Sequence, residues 1–356
     1  MEECGNGTCF AMCPEKERWM REREGLLHVF EMDEKTKNSR KPKADPSKII
    51  KCFNRPAAGQ LMADPSQLRP APTLLLTTRY LLTKIVTRRD RDWAFIYDFI
   101  FDRLRAIRQD IIIQRIGVIQ SIEILLPIVR FHVYASQRLC ERNISEFDKK
   151  INNQHLLECL QRLLVLYEEL DRLLYQKDRD VNTSMDMLSV TEDRQQMEAI
   201  YILLHLGNIT VLNRVLSLPK RYRSRDIDLA LKISISWHLK NYVRTCRLIQ
   251  ELSPLLACAV LCNMPKIRRH ALAIMSSGYN SKMLTFPGIK LQEILLYNDI
   301  NNIRADCGLF GLTFTNENVQ FQKASFNEQQ VLANSEMYFS IPVLQDFLPR
   351  ILFECT

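Results

Sequence analysis

Residues 91–115, RDWAFIYDFIFDRLRAIRQDIIIQR, spell a helix that cannot lie on a surface. At about 100° per residue, Trp93, Tyr97, Ile100, Leu104, Ile107 and Ile111 line one side, and Phe95, Phe99, Ala106 and Ile113 fall roughly opposite. A helix that is apolar on two sides belongs between layers of other helices. The remaining strip carries Asp98, Asp102, Arg103, Arg105, Arg108 and Asp110, with Arg108 close to the main apolar stripe. A buried guanidinium without an acceptor costs on the order of several kcal/mol. The strip therefore predicts an internal salt-bridge network, with a ligand site as the alternative.

The rest of the chain fits a mainly α protein. Glycine supplies only 10 of 356 residues, well under the usual share of about 7%, which argues against the many tight turns of a β-rich fold. A length of 356 residues with 46% hydrophobic content allows a sizeable core and two or three domains. The net charge of +8 suits acidic partners such as RNA, DNA or an acidic protein, although a solvated basic surface satisfies it equally. Eleven cysteines, an odd number at irregular spacing, do not form a secreted disulfide framework, and a reducing compartment is expected. MEECGNGTCF has neither a basic nor an apolar signal region, and no uninterrupted apolar run nears the roughly eighteen residues of a span. The expectation is a soluble intracellular protein with no membrane contact.

Residues 1–72 stand apart, because seven of the fourteen prolines lie there. One short helix beginning at Cys13-Pro14-Glu15, followed by an extended Pro-rich segment with a basic linker at 35–43, is expected. Residues 73–263 read as back-to-back helices: 73–86 capped by Thr73, the central helix, 117–142 bent at Pro127, and a segment capped by Ser145. An Asn153-capped run at 156–174 follows, then a polar loop at 176–189, and helices at 192–206, 209–216, 224–239, 242–252 and 255–263. Stacked antiparallel pairs of this kind describe an α-solenoid without a clean repeat period. Residues 264–326 predict three short helices (266–276, 289–297 and 299–306) and then an alternating hairpin, Leu312 and Phe314 against Val319 and Phe321, turning at TNEN. That is the winged-helix order. Its third helix, DINNIRAD, offers one cation, Arg304, beside Asp299 and Asp306, and so suits protein contact better than DNA reading. Residues 327–356 form a tail.

Four strings, MCPEKERWMRE at 12–22, YDFIFDRLRAIRQDIIIQ at 97–114, RFH at 130–132 and FDKKINN at 147–153, together resemble one family. It is the family of the Sac-three homology domain shared by the germinal-centre-associated nuclear protein and the yeast nuclear mRNA-export scaffold; the likeness is strongest to its short animal members. The resemblance implies a PCI-like right-handed helical-repeat (α-solenoid) stack ending in a winged-helix subdomain with a small β-hairpin. It also implies a PCI-domain-type partner subunit and a composite nucleic-acid surface, with roles in nuclear mRNA export or at the centrosome and mitotic spindle. The chain carries no Phe-Gly repeats and stops before the long helix that binds centrin in the large scaffolds. This shifts the expectation toward a role away from pores, including among centrosomal or spindle proteins. Within the resemblance, Arg103, Arg105, Arg108, Asp110, Phe147, Asp148, Asn152 and Asn153 are structural motif residues, the last two bonding backbone in a capped turn.

The leading nucleic-acid candidate is LPKRYRSRD, in which Lys220, Arg221, Arg223 and Arg225 surround Tyr222. Phosphate pairing with one stacking aromatic is one reading, and a charged inter-helix loop the other. Lys266, Arg268 and Arg269 extend that surface or form a solvated face. Arg88, Arg89 and Arg91 are expected to pair locally with Asp90 and Asp92. Cys4, Cys9 and Cys13 lack a fourth ligand at zinc spacing and read as free thiols in a mobile terminus, while Cys258 and Cys262 read as core. There is no H-E-x-x-H or G-x-S-x-G, and Gly5 and Gly7 open no phosphate loop. No catalytic residue, metal, cofactor or small-molecule substrate is assigned, which leaves a scaffold, with an RNA-binding module as the alternative.

Overall fold

The computed structural model describes residues 6–55, 64–177, 186–332, 336–337 and 341–354. They divide into two units, the first made of residues 1–131, 161–181 and 347–354 and the second of residues 132–160, 182–346 and 355–356.

In the first unit, helix α1 (Glu15–Glu24) carries Glu15 and Glu17 in its first turn and stops at Gly25, which is left-handed (φ 69°). The chain then folds back on itself. Met32 bridges Ala44, Asp33 N donates to Lys43 O, and Cys13, Leu27, Ala44 and Ile49 form a small core with Met32 against it. Residues 35–43 are therefore the closed end of a loop. Helix α2 (Ala71–Tyr80) starts after Pro70 rather than at Thr73 and runs into a π-helical turn, Leu81–Ile85. The Thr73 hydroxyl is not needed as a cap because Pro72 stands inside the first turn, where its missing N–H costs nothing.

Helix α3 (Trp93–Gln114) is the expected central helix, capped by Asp92 Oδ1 on Ala94 N at 2.9 Å and closed by left-handed Arg115 (φ 50°). Trp93, Tyr97, Ile100, Leu104, Ile107 and Ile111 are all buried. The opposite face is only half covered: Phe99 and Ala106 are buried, but Phe95 is 41% exposed and stacks on His28. Helix α4 (Val118–Arg138) holds Pro127 inside it and gives its first fourteen residues to this unit. It is long and apolar enough to cross a membrane, with a mean hydropathy of 1.4, yet 78% of that window is buried, as in the core helix of a globular fold. Helix α5 (Lys149–Lys177) divides between the units at Gln161. Its start is set by Asp148, whose Oδ1 accepts from Lys150 N and Ile151 N, in place of the expected Asn153. Asn143, not Ser145, caps the preceding turn. The expected loop at 176–189 is shorter than thought: α5 continues to Lys177, residues 178–185 lie outside the described ones, and helix resumes at Asp186.

The second unit continues with α6 (Asp186–Leu204), α7 (Ile209–Leu216), α8 (Arg225–His238), α9 (Tyr242–Ile249) and α10 (Pro254–Leu261). Asn208, Ser224 and Asn241 cap the middle three through their side chains. α6 packs on α8 and α10, and α8 on α9. Helices α11 (Met264–Gly278), α12 (Gly288–Leu295) and α13 (Ile300–Leu309) follow. Three strands, β1 (Phe286–Pro287), β2 (Thr313–Thr315) and β3 (Asn318–Gln320), form one antiparallel sheet in the order β1-β3-β2. Phe314 pairs with Val319, and Asn316 and Glu317 turn the hairpin at φ 47° and 60°, the left-handed pair that a two-residue loop demands. Short α14 (Ile341–Leu344) belongs to this unit and α15 (Leu348–Phe353) to the first, where it packs on the π-turn.

Candidate functional site

The charged strip of α3 is an anchor. Glu31 is fully buried and takes Arg21 and Arg103 together: Arg103 Nη2 lies 3.1 Å from both carboxylate oxygens, and Arg21 Nη2 bonds Oε2. Ile50 N donates to Oε1 at 3.0 Å and His28 N to Oε2 at 3.3 Å, so four groups converge on one carboxylate. Two turns along, Asp110 is equally buried and accepts from Lys51 Nζ at 2.6 Å and Arg69 Nε at 2.8 Å. Arg69 Nη1 reaches Met12 O, and Gln114 accepts from Gly7 N and donates to Arg69 O. Glu17 and Asp102 take the backbone N–H groups of Cys52 and Phe53. Arg103 and Asp110 thus act inside the protein, in two ion clusters that hold parts of residues 7–55 and 64–69 against α3. Arg105 does something else, lying 3.8 Å above the Phe53 ring. Arg108 is half-buried. Arg88 pairs with Asp90 and sits 4.4 Å over Phe30, while Arg91 stands 6.0 Å from the Phe95 ring.

Sequence reasoning missed Glu31, Lys51 and Arg69, the partners in those clusters. Cys9 and Cys13, expected in a mobile terminus, are buried in the same region, and burial pushes both thiols up in pKa. Cys4 lies outside the described residues. No group of three or more metal-capable side chains occurs among the described residues. Cys258 is fully buried, whereas Cys262 is half-buried with its thiol donating to Ala259 O, burial having pushed its pKa up to about 12.

In the second unit the FDKKINN and RFH strings meet. Asn152 and His132 are buried, and they bond twice, Asn152 Nδ2 to His132 O at 3.1 Å and His132 Nδ1 to Asn152 Oδ1 at 2.8 Å. Phe147 is buried, Asp148 caps α5 and Asn153 is half-buried.

The basic turn comes out divided. Lys220, Arg221, Arg223 and Arg225 are exposed around one 3-10 turn ahead of α8. Tyr222, expected to stack on a base, is instead 7% exposed and lies under Arg194, 3.9 Å from its ring. Glu198 holds that lid from beneath, with Arg214 Nη1 at 2.6 Å from its other oxygen. The cations on α11 separate as well. Arg268 is buried, stacked 3.7 Å over Tyr297, and bonded to Leu295 O and Glu336. Arg269 donates to Gln330 O and Glu328 O. Only Lys266 points into solvent, so these three residues do not continue one phosphate-facing surface.

Arg268 and Tyr297 also wall a cavity of 680 Å³ shared with Met264, Ile289, Asn298 and Met337. Tyr297 donates to Asp306 at 2.6 Å. Burial raises the pKa of both groups. Glu336 fills the polar end of the cavity by accepting from Arg268, Asn298 N and the Asn302 amide. Its charged groups are thus already matched to one another.

These features define a mainly helical protein with a small antiparallel sheet, in which the distinctive charged strings are tied up in internal contacts. The SAC3/GANP family model matches residues 12–316, and the chain belongs to that family. It is 28% identical over 333 residues to SAC3 family protein 1 of Schizosaccharomyces pombe, covering 88% of this chain and 30% of that protein. SAC3 family protein B of Arabidopsis thaliana is 26% identical over 76% of this chain and 16% of its own length. Protein xmas of Drosophila melanogaster is 26% identical over 77% and 13%. The chain therefore spans less than a third of the length of these relatives.

Proposed function

We propose that the chain is a non-catalytic helical scaffold that docks a PCI-type partner subunit. The observation that carries this reading is the family match over residues 12–316, and the internal ion pairs of Arg103 and Asp110 support it. In this reading α6–α10 are stacked members of an α-solenoid. The order α11, β1, α12, α13, hairpin supports a winged helix, with Asn316 and Glu317 at the tip of the wing. Arg304 stands alone as a cation on the exposed face of α13 and bonds Asn301, beside Asp299, which favours a protein partner over DNA. The role proposed is in nuclear mRNA export, or in centrosome duplication and spindle progression, with the protein in the nucleus, the cytoplasm or both and associated with centrosome or spindle.

Affinity capture from dividing cells after nuclease treatment, followed by mass spectrometry, tests this. Recovery of a PCI-type subunit supports docking, with export factors or spindle proteins alongside indicating the compartment. Capture of neither a PCI-type subunit nor any stoichiometric partner overturns the scaffold reading.

RNA contact is a second reading, favoured by one observation: four exposed cations, Lys220, Arg221, Arg223 and Arg225, surround a single turn. With Tyr222 covered, binding there would be to phosphates, without base stacking.

A further inference from the structure

Around Trp237 the second unit gathers cations, with no ion-pair carboxylate for its two lysines among the described residues. The indole is seated by Gly207, a left-handed residue (φ 72°) where an added Cβ would come within 2.9 Å of Trp237 Cδ1. Gly207 N also donates to Ser234 Oγ at 2.9 Å, so the turn after α6 and the body of α8 fix one another. Trp237 is 5% exposed, and two ammonium groups lie near it, Lys240 Nζ at 5.4 Å and Lys266 Nζ at 5.9 Å from the ring centre. The His270 imidazole meets the same indole edge-on at 5.2 Å.

Neither lysine forms an ion pair among the described residues. Arg269, next to His270, is bonded to backbone carbonyls, which leave its charge uncompensated. His270 Nε2 is buried and has no hydrogen-bond partner. Burial first, and then the positive charges of Lys240, Arg269 and Lys266, lower the pKa of His270. Like charges drawn together around a buried, unmatched ring nitrogen raise the energy of the site unless an anion joins them.

We propose that Lys240, Lys266 and His270 form a receptor for a phosphomonoester carried by a protein partner, a phosphoserine or phosphothreonine side chain. Such a group brings a charge of about −1.5 to −2 and three acceptor oxygens, enough to pair both ammonium groups in charge-assisted bonds and to offset the positive charge beside His270. The geometry favours a single phosphate over a nucleic-acid strand. The two ammonium groups and the imidazole all stand within 5.9 Å of the same indole ring, and Trp237, 5% exposed, is too buried to stack a base. The exposed Lys220–Arg225 cations stand at the opposite end of the fourteen-residue α8, about 20 Å away at about 1.5 Å per residue. This site does not depend on the scaffold reading.

The test titrates the full chain with a pentapeptide Ala-Ala-phosphoSer-Ala-Ala, the same peptide unphosphorylated, and a single-stranded oligouridylate. Calorimetry gives affinities and isotope-labelled histidine NMR gives the His270 titration. The phosphopeptide is expected to bind at least about tenfold more tightly than its unphosphorylated form and to raise the pKa of His270. Lys240→Glu and Lys266→Glu, both at exposed positions, should each abolish that preference while leaving the far-UV CD spectrum unchanged and the melting temperature no lower. Equal affinity for the two peptides overturns the proposal. So does oligouridylate binding that these substitutions weaken while the phosphopeptide fails to bind, since that outcome marks a strand-binding site.

Discussion

Arg103 meets Glu31 across 72 positions of sequence, one guanidinium nitrogen standing 3.1 Å from both carboxylate oxygens with Glu31 fully buried. The pair joins the loop after α1 to the middle of α3, and Arg21 shares the same carboxylate. Removing the one acid takes away the fully buried counter-charge that two buried guanidinium groups share, leaving Arg103 with Asp102 and Arg21 with Glu17. Glu31→Gln is therefore expected to cost about 3–5 kcal/mol of unfolding free energy, measured by urea denaturation. A change within about 0.5 kcal/mol would show that the cluster is relaxed by water in solution.

His28 gives the same region a pH dependence. Burial, followed by the neighbouring Arg103 charge, lowers its pKa from 6.5 to about 4. Its ring packs on Phe95 and Phe99, and its Nδ1 accepts from Phe30 N, which requires the unprotonated nitrogen. Between these two values the unfolded chain binds more protons at this position than the folded one, so stability rises with pH through the window. The contribution is complete above about pH 6.5 and is lost as pH falls toward about 4. Comparing chemical denaturation of the wild type and His28→Phe from pH 4 to 7 isolates it. The variant should show the shallower slope, and parallel curves would refute the assignment.

Asn152 and His132 lock the start of α5 to α4 within the second unit by two mutual bonds. Asn152→Ala leaves the His132 carbonyl and Nδ1 without these partners in a buried setting, at a cost of about 1–3 kcal/mol per unmatched group. A fall in denaturation midpoint at constant slope is the expected result. If stability is kept and partner capture is lost, the pair acts in binding instead.

For the basic turn, reversing Arg223 and Arg225 together to Glu should weaken binding to a single-stranded oligonucleotide. The slope of log affinity against log salt should also fall by about 0.7 for each phosphate contact removed. Tyr222→Leu should lower stability and leave binding unaltered, because that ring lies beneath Arg194. An unchanged salt slope in the double reversal would falsify RNA contact at this turn.

The helices of the second unit were legible because their caps are local. Asn208, Ser224 and Asn241 each satisfy N–H groups two or three residues on, so the start signals sit beside what they start. The TNEN turn was legible for the same reason. Glu31 was not: it lies in a stretch without periodicity, and its partners lie ten and 72 positions away. Strand β1 is two residues long and ends in Pro287, too short to alternate. Tyr222 misled because a tyrosine among four cations reads as a platform from sequence alone. What covers it, Arg194 held by Glu198, comes from a different helix.

The two ion clusters on α3 also set an order of events during synthesis. The chain emerges N-terminus first, so Glu31 and Arg21 leave the ribosome before the Arg103 that completes their cluster. Arg69 and Lys51 likewise precede Asp110. Until α3 has been translated, Arg21, Glu31, Lys51 and Arg69 have no floor to settle on, and they must stay hydrated. Closure of such distant contacts is slow relative to helix formation, so a segment made before α3 reaches its native place only after it.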